Sequence, residues 1–189
     1  MSAARREPAV DNGSTTVVGR LALGITLLAF GLGTTGVIHG VVASDAVSVA
    51  HYVGGVALFL VGLLAFRGGD GVSGTGFAAL GALWFTWAVG GHSSANAAGL
   101  FLLLFALVAL TLTLAGGDSL GQVMHGLLFL AMLVLAVAAF AGSSSLTKAG
   151  GWVAAVSGAV AWYAATAALA HWPTALPGRA AGRGVTAAG

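Results

Sequence analysis

Residues 47–66 read VSVAHYVGGVALFLVGLLAF, twenty residues with no Asp, Glu, Lys or Arg, and Arg67-Gly68-Gly69-Asp70 follows at once. A bilayer core of about 30 Å needs about 20 mainly apolar residues in helical form, so this run predicts a transmembrane helix ending in a tight polar turn. Five similar runs, at 17–38, 74–89, 97–115, 120–141 and 149–170, also lack acidic residues. They predict an all-α membrane protein of six transmembrane helices. The connections are short and rich in Gly, Ser and Asp, as in Gly68-Gly69-Asp70-Gly71, Gly90-Gly91-His92-Ser93-Ser94, Gly116-Gly117-Asp118-Ser119 and Gly142-Ser143-Ser144-Ser145. Such connections fit antiparallel neighbours.

Composition agrees. The chain is 58% hydrophobic and 6% charged, far too little charge for the surface of a soluble domain. Without cysteine, disulfides, thiolate metal sites and cysteine nucleophiles are all excluded. The slight basic excess lies mostly toward the termini and forms no stripe with interleaved aromatics, so nucleic acid is not an expected partner. If both termini are cytoplasmic, Arg5, Arg6, Arg20, Arg67, Arg179 and Arg183 lie inside and only Lys148 outside. The positive-inside rule favours that orientation. Residues 1–16 read as a disordered polar tail, 17–171 as the six-helix domain and 172–189 as a flexible C-terminal tail. The alternative, a secretory signal cleaved near Val41-Val42-Ala43, suits neither the length of the first run nor the five runs after it. The expected location is the cytoplasmic membrane.

Lipid supplies no hydrophobic force to press helices together, so small residues at close approaches matter. Among 31 glycines, Gly36-x-x-x-Gly40 and the groups Gly54, Gly55, Gly62 and Gly150, Gly151, Gly158 are the expected packing faces. Aromatic placement suggests an interfacial belt of Tyr52, Trp87 and Trp152 at one boundary and Trp172 at the other. Trp162 and Tyr163 fall deeper, which predicts that they face the bundle, because a buried indole N–H or phenol needs a partner.

No motif for a nucleophile, a phosphate loop or a metal-dependent hydrolase is present, so neither an enzyme nor a resident cofactor or metal is expected. Asp45, Asp70 and Asp118 lie in turns, where an aspartate commonly caps the next helix. Polar groups within the spans are few: Thr26, Thr86, Thr111, Thr113, Gln122, His125, Ser157, Tyr163 and Thr166. The hydroxyls most often bond to their own preceding turn. His125 stands about 8 Å into its helix, on the same face as Gln122. An ionisable group there reads either as a functional proton acceptor or solute donor, or as a neutral imidazole bonded to a nearby carbonyl. His39, His51 and His92 would lie at the outer face, without the spacing of a metal site.

The stretch His51-Tyr-Val-Gly-Gly-Val-Ala-Leu-Phe-Leu-Val-Gly-Leu-Leu-Ala-Phe-Arg-Gly-Gly-Asp70, followed by Phe77-Ala-Ala-Leu-Gly-Ala-Leu-Trp84, resembles the second and third spans of the succinate/acetate permease family of YaaH-type transporters. The order Gly150-Gly151-Trp152, Gly158 and Trp162-Tyr163 is similar to that family's last helix. The resemblance implies a six-helix protomer with its own narrow path for acetate and related small carboxylates, assembled as a hexamer. It places an apolar pinch at Leu23, Leu80 and Ala131, and Thr26 matches a threonine of the first helix. Leu23, Thr26, Leu80, Trp84, His125, Ala131 and Tyr163 are the expected pathway residues. Several family positions differ. The Asn-Pro-Ala-Pro-Leu-Gly-Leu signature is missing around residues 12–21, the pinch Tyr is Leu80, the turn Asn is Asp70, a Gln is Leu58, and two acidic positions are Ala65 and Ala168. The implied partners are the lipid bilayer, a small carboxylic acid and further copies of the chain. A channel for a small neutral solute such as ammonia or urea, and a scaffold without transport, are the other readings.

Overall fold

The computed structural model describes residues 12–90 and 94–172. Its six long apolar helices are α1 (Asn12–Thr35), α2 (Ser44–Arg67), α3 (Gly71–Val89), α4 (Ala95–Leu114), α5 (Ser119–Ala141) and α6 (Ser144–Leu169). No strand occurs among the described residues. Every described backbone segment at membrane depth is helical, as hydrocarbon requires.

The helices extend beyond several hydropathy-based limits because polar residues cap them. Asp70, Ser94, Asp118 and Ser143 each accept a hydrogen bond from a backbone N–H in the first turn of the following helix. Helix α6 therefore takes in 144–148, including Lys148, which hydropathy assigns to a loop. Helix α1 starts at Asn12, and Thr15 is buried. Residues 12–16 thus belong to the bundle and not to a tail, while the expectations for 1–11 and 173–189 fall outside the described residues.

Asp70 accepts from Ser73 N at 3.0 Å. Hydrogen bonds from the Ser73 side chain and backbone hold its carboxyl below the usual carboxylate range. A depressed folded value stabilises the fold above the unfolded pKa of about 3.9, and that contribution is lost as pH falls through the folded value. Asp70→Ala is expected to lower stability by about 1 kcal/mol at neutral pH, with the gap from the parent narrowing in acid. Thermal melts in detergent at both pH values check this.

Close backbone approaches hold the frame together. Helices α1 and α6, and likewise α2 and α3, pack most extensively, followed by α4 with α5 and α5 with α6. A Cβ on Gly62 would stand 2.5 Å from Ala78 N, and one on Gly81 2.5 Å from Phe59 N, which shows how near α2 and α3 come. Gly54, Gly55, Gly62, Gly150, Gly151 and Gly158 are all buried packing positions as expected. Gly36 and Gly40 are not. They lie beyond the end of α1 at φ +66° and +78° with nothing near them, so their spacing reflects a turn that needs left-handed residues.

Trp162 and Tyr163 also depart from expectation, being 48% and 39% exposed on the outer side of α6. The face of α6 that meets α1 is taken by Gly151, Gly158 and Ala161, so the bulky neighbours must point outward. The Tyr163 ring lies 6.2 Å from that of Trp172. Trp87 turns inward against Phe30 and Phe101, whereas Tyr52, Trp152 and Trp172 are exposed as a belt requires.

Candidate permeation seam and vestibule

Helix α1 makes no extended close backbone approach to α3 or α5. The space between them is filled by large side chains. Leu23, Leu27, Leu80, Trp84, Phe105, Met124, Leu128 and Ala131 all belong to one buried cluster. Leu23, Leu80 and Ala131 are fully buried in it, and Leu58 is too. This seam is part of the apolar core of the bundle.

Polar groups meet the seam at two levels. Helices α1 and α3 run in the same direction, so Thr26 and Trp84 lie about one turn, roughly 5 Å, beyond Leu23 and Leu80. Thr26 is 1% exposed and donates its hydroxyl to Ala22 O at 2.8 Å. Trp84 is 1% exposed, with its ring edge-on to Phe30 and Phe105, both at 5.3 Å. Its Nε1–H has no hydrogen-bond partner among the described residues. Both side chains crowd Gly54: a Cβ there would be 2.9 Å from Thr26 Oγ1 and 3.1 Å from Trp84 Cγ. Gly54 sits in a π-helical stretch of α2, Ala50–Ala57. The wider turn lets the adjacent residues Gly54 and Gly55 both pack inward, Gly54 on Thr26 and Trp84 and Gly55 on Phe85.

The second level is a vestibule of about 100 Å³ lined by Thr16, Arg20, Ser73, Asp118 and His125 among others, with Phe77 and Met124 of the buried cluster at its inner side. That volume suits roughly three waters at about 30 Å³ each, or one small acid. Arg20 is ion-paired with Asp118, and the other carboxylate oxygen of Asp118 accepts from Gly121 N at 3.1 Å. One carboxylate thereby caps α5 and ties it to α1. Gly121 must stay small, since a Cβ there would lie 2.9 Å from Asp118 Oδ1. His125, about two turns along α5 from Asp118, lines the same vestibule. Asp118→Ala is expected to cost about 1–2 kcal/mol, the cap supplying most of it and the exposed pair at most about 1 kcal/mol. Arg20→Ala should cost less than Asp118→Ala, and chemical unfolding of the two variants in detergent checks the order.

A larger groove of about 350 Å³ lies on the outside of α2 and α3, between Val56, Phe59, Leu60 and Phe85. It is apolar and separate from the seam. Of the expected pathway residues, Leu23, Thr26, Leu80, Trp84 and Ala131 share the seam, His125 lines the vestibule, and Tyr163, exposed on the outer side of α6, belongs to neither. Thr26, Thr86, Thr111 and Thr113 each bond to the carbonyl four residues earlier, as hydroxyls in such helices do. Ser157 instead crosses to Met124 O at 2.9 Å, joining α6 to α5. The Arg20–Asp118 pair was invisible to local patterns, its members being 98 residues apart.

A sequence model of the GPR1/FUN34/YaaH family matches residues 3–175. The chain belongs to this family. A bacterial acetate channel, SatP, has a similar solved structure, with a TM-score of 0.77 at 22% identity, covering 86% of this chain and 93% of that one. At that identity the likeness establishes the six-helix fold. A sequence comparison with curated proteins gives no match. Family and fold together make this chain a multi-pass membrane protein of a transport family, not an enzyme. The resemblance read from 51–84 and 150–163 is thus confirmed as kinship.

Proposed function

We propose that this chain is a conduit for small monocarboxylic acids such as acetate, with both termini on the cytoplasmic side of the cytoplasmic membrane. The observation that carries this reading is a family frame whose buried seam holds Leu23, Leu80 and Ala131 in one cluster, next to a small vestibule lined by the Arg20–Asp118 ion pair and His125. Leu23, Leu80 and Ala131 form the pinch. Arg20, paired with Asp118, and His125 line the inner mouth, where the small acid enters. No Asp, Glu, Lys or Arg is buried among the described residues, so the undissociated acid is the cheaper species to carry across. Narrowness and a few hydrogen-bonding groups then set selectivity. By kinship the protomer works within a homo-oligomer, a hexamer, each copy keeping its own path.

The apolar character of Leu23, Leu80 and Ala131 also suits a neutral solute such as urea. Competition separates the two. Uptake of labelled acetate into liposomes containing the purified protein should be reduced by propionate and unaffected by urea. Urea flux without acetate flux would establish the neutral-solute reading instead.

A further inference from the structure

We propose that the Trp84 indole N–H and the Thr26 hydroxyl oxygen form a hydrogen-bonding station, one turn beyond the pinch, for a small carboxylic acid in its undissociated form. The inference rests on the conduit reading above and specifies which species the path holds, and where.

The Trp84 Nε1–H is the buried side-chain polar group left without a partner among the described residues. Native proteins rarely leave a buried donor unmatched, and each such case calls for an explanation. An indole N–H only donates. Thr26 supplies the complementary group: its hydrogen is committed to Ala22 O, so its oxygen presents lone pairs. Gly54 brings the α2 backbone against both residues, a Cβ there standing 2.9 Å from Thr26 Oγ1 and 3.1 Å from Trp84 Cγ, so the two side chains border one buried point. The π-helical turn that carries Gly54 adds weight, since such turns are frequent at functional sites.

One donor beside one acceptor is the complement of a carboxylic acid, whose carbonyl accepts from Trp84 while its O–H donates to Thr26. A carboxylate brings acceptors alone and would meet the Thr26 lone pairs, with no Lys or Arg buried among the described residues to offset the charge. The station therefore discriminates by protonation state as well as by size.

Trp84→Phe keeps an aromatic ring and removes the N–H. In proteoliposomes at acid pH, acetate uptake by this variant should fall about tenfold, the worth of one lost hydrogen bond. Its melting temperature should fall modestly because the smaller ring leaves a cavity, so uptake is compared well below the midpoints of both proteins. Thr26→Val should reduce uptake in the same direction. In detergent-solubilised parent protein labelled with ¹⁵N-tryptophan, the indole resonance missing from Trp84→Phe should shift on titration with acetate at acid pH and stay still at neutral pH. If Trp84→Phe does not fold, single Phe replacements of Trp87, Trp152, Trp162 and Trp172 assign the Trp84 resonance by elimination, and the titration still decides the matter. Parent-like uptake by Trp84→Phe, or a resonance that does not move, overturns the station while leaving the conduit intact. Absence of acetate uptake by the parent protein overturns the conduit, and the station with it.

Discussion

Replacing Gly158 with leucine is expected to abolish the accumulation of folded protein. A Cβ at this position would stand 2.8 Å from both Gly24 O and Leu28 N, which are backbone atoms with no rotamer to yield. The partner glycine has the same constraint: a Cβ on Gly24 would lie 2.9 Å from Trp162 N and 3.0 Å from Gly158 O. Seven residues further along α1 the pattern repeats, with Gly31 facing Gly151 O and Ala155 N, both at 2.6 Å. Small residues at these crossings are what permit a contact dense enough to hold helices together in lipid. Overpacking in a core usually costs about 1–3 kcal/mol. A side chain driven into a helix backbone belongs to the rarer class above about 4 kcal/mol. Fluorescence-detected size exclusion should show loss of the monodisperse peak for Gly158→Leu. Gly71→Ala, at a position with nothing within 4 Å, should behave like the parent. A well-behaved Gly158→Leu would mean that α1 and α6 are not in this contact.

Leu80→Ala is expected to have the largest effect on selectivity. Leu80 is completely buried in the seam, so its truncation leaves a cavity and lowers stability by about 2–5 kcal/mol. In the proposed pinch the same space widens the path. Longer acids such as butyrate, which the parent should exclude, are expected to enter proteoliposomes containing this variant. Lower stability with an unchanged substrate range would make Leu80 a packing residue and not a gate.

The fold was readable because crossing a bilayer imposes a length and a hydropathy that no other element satisfies six times in one chain. Helix ends were less readable. The turn 144–148 is polar, and only its cap by Ser143 shows it to be helical. Spacing alone misplaced Gly36 and Gly40, because i to i+4 glycines look the same on a helix face and in a turn. Depth was mistaken for direction at Trp162 and Tyr163: sequence position says how far along the helix a side chain lies, while the glycines beside it decide which way it points. The seam residues Leu23, Thr26, Leu80, Trp84 and Ala131 came from kinship, since leucines and alanines carry no local mark of function. The Arg20–Asp118 tie, the π-helical turn at Gly54 and the unmatched Trp84 N–H depend on tertiary packing and left no pattern to read.

Uptake of labelled acetate by proteoliposomes, followed across pH and under an imposed membrane potential, tests the central claim most directly. A conduit whose seam favours the neutral acid predicts uptake above that of empty liposomes, tracking the undissociated acid and indifferent to the potential. Uptake no faster than in empty liposomes at any pH would contradict it.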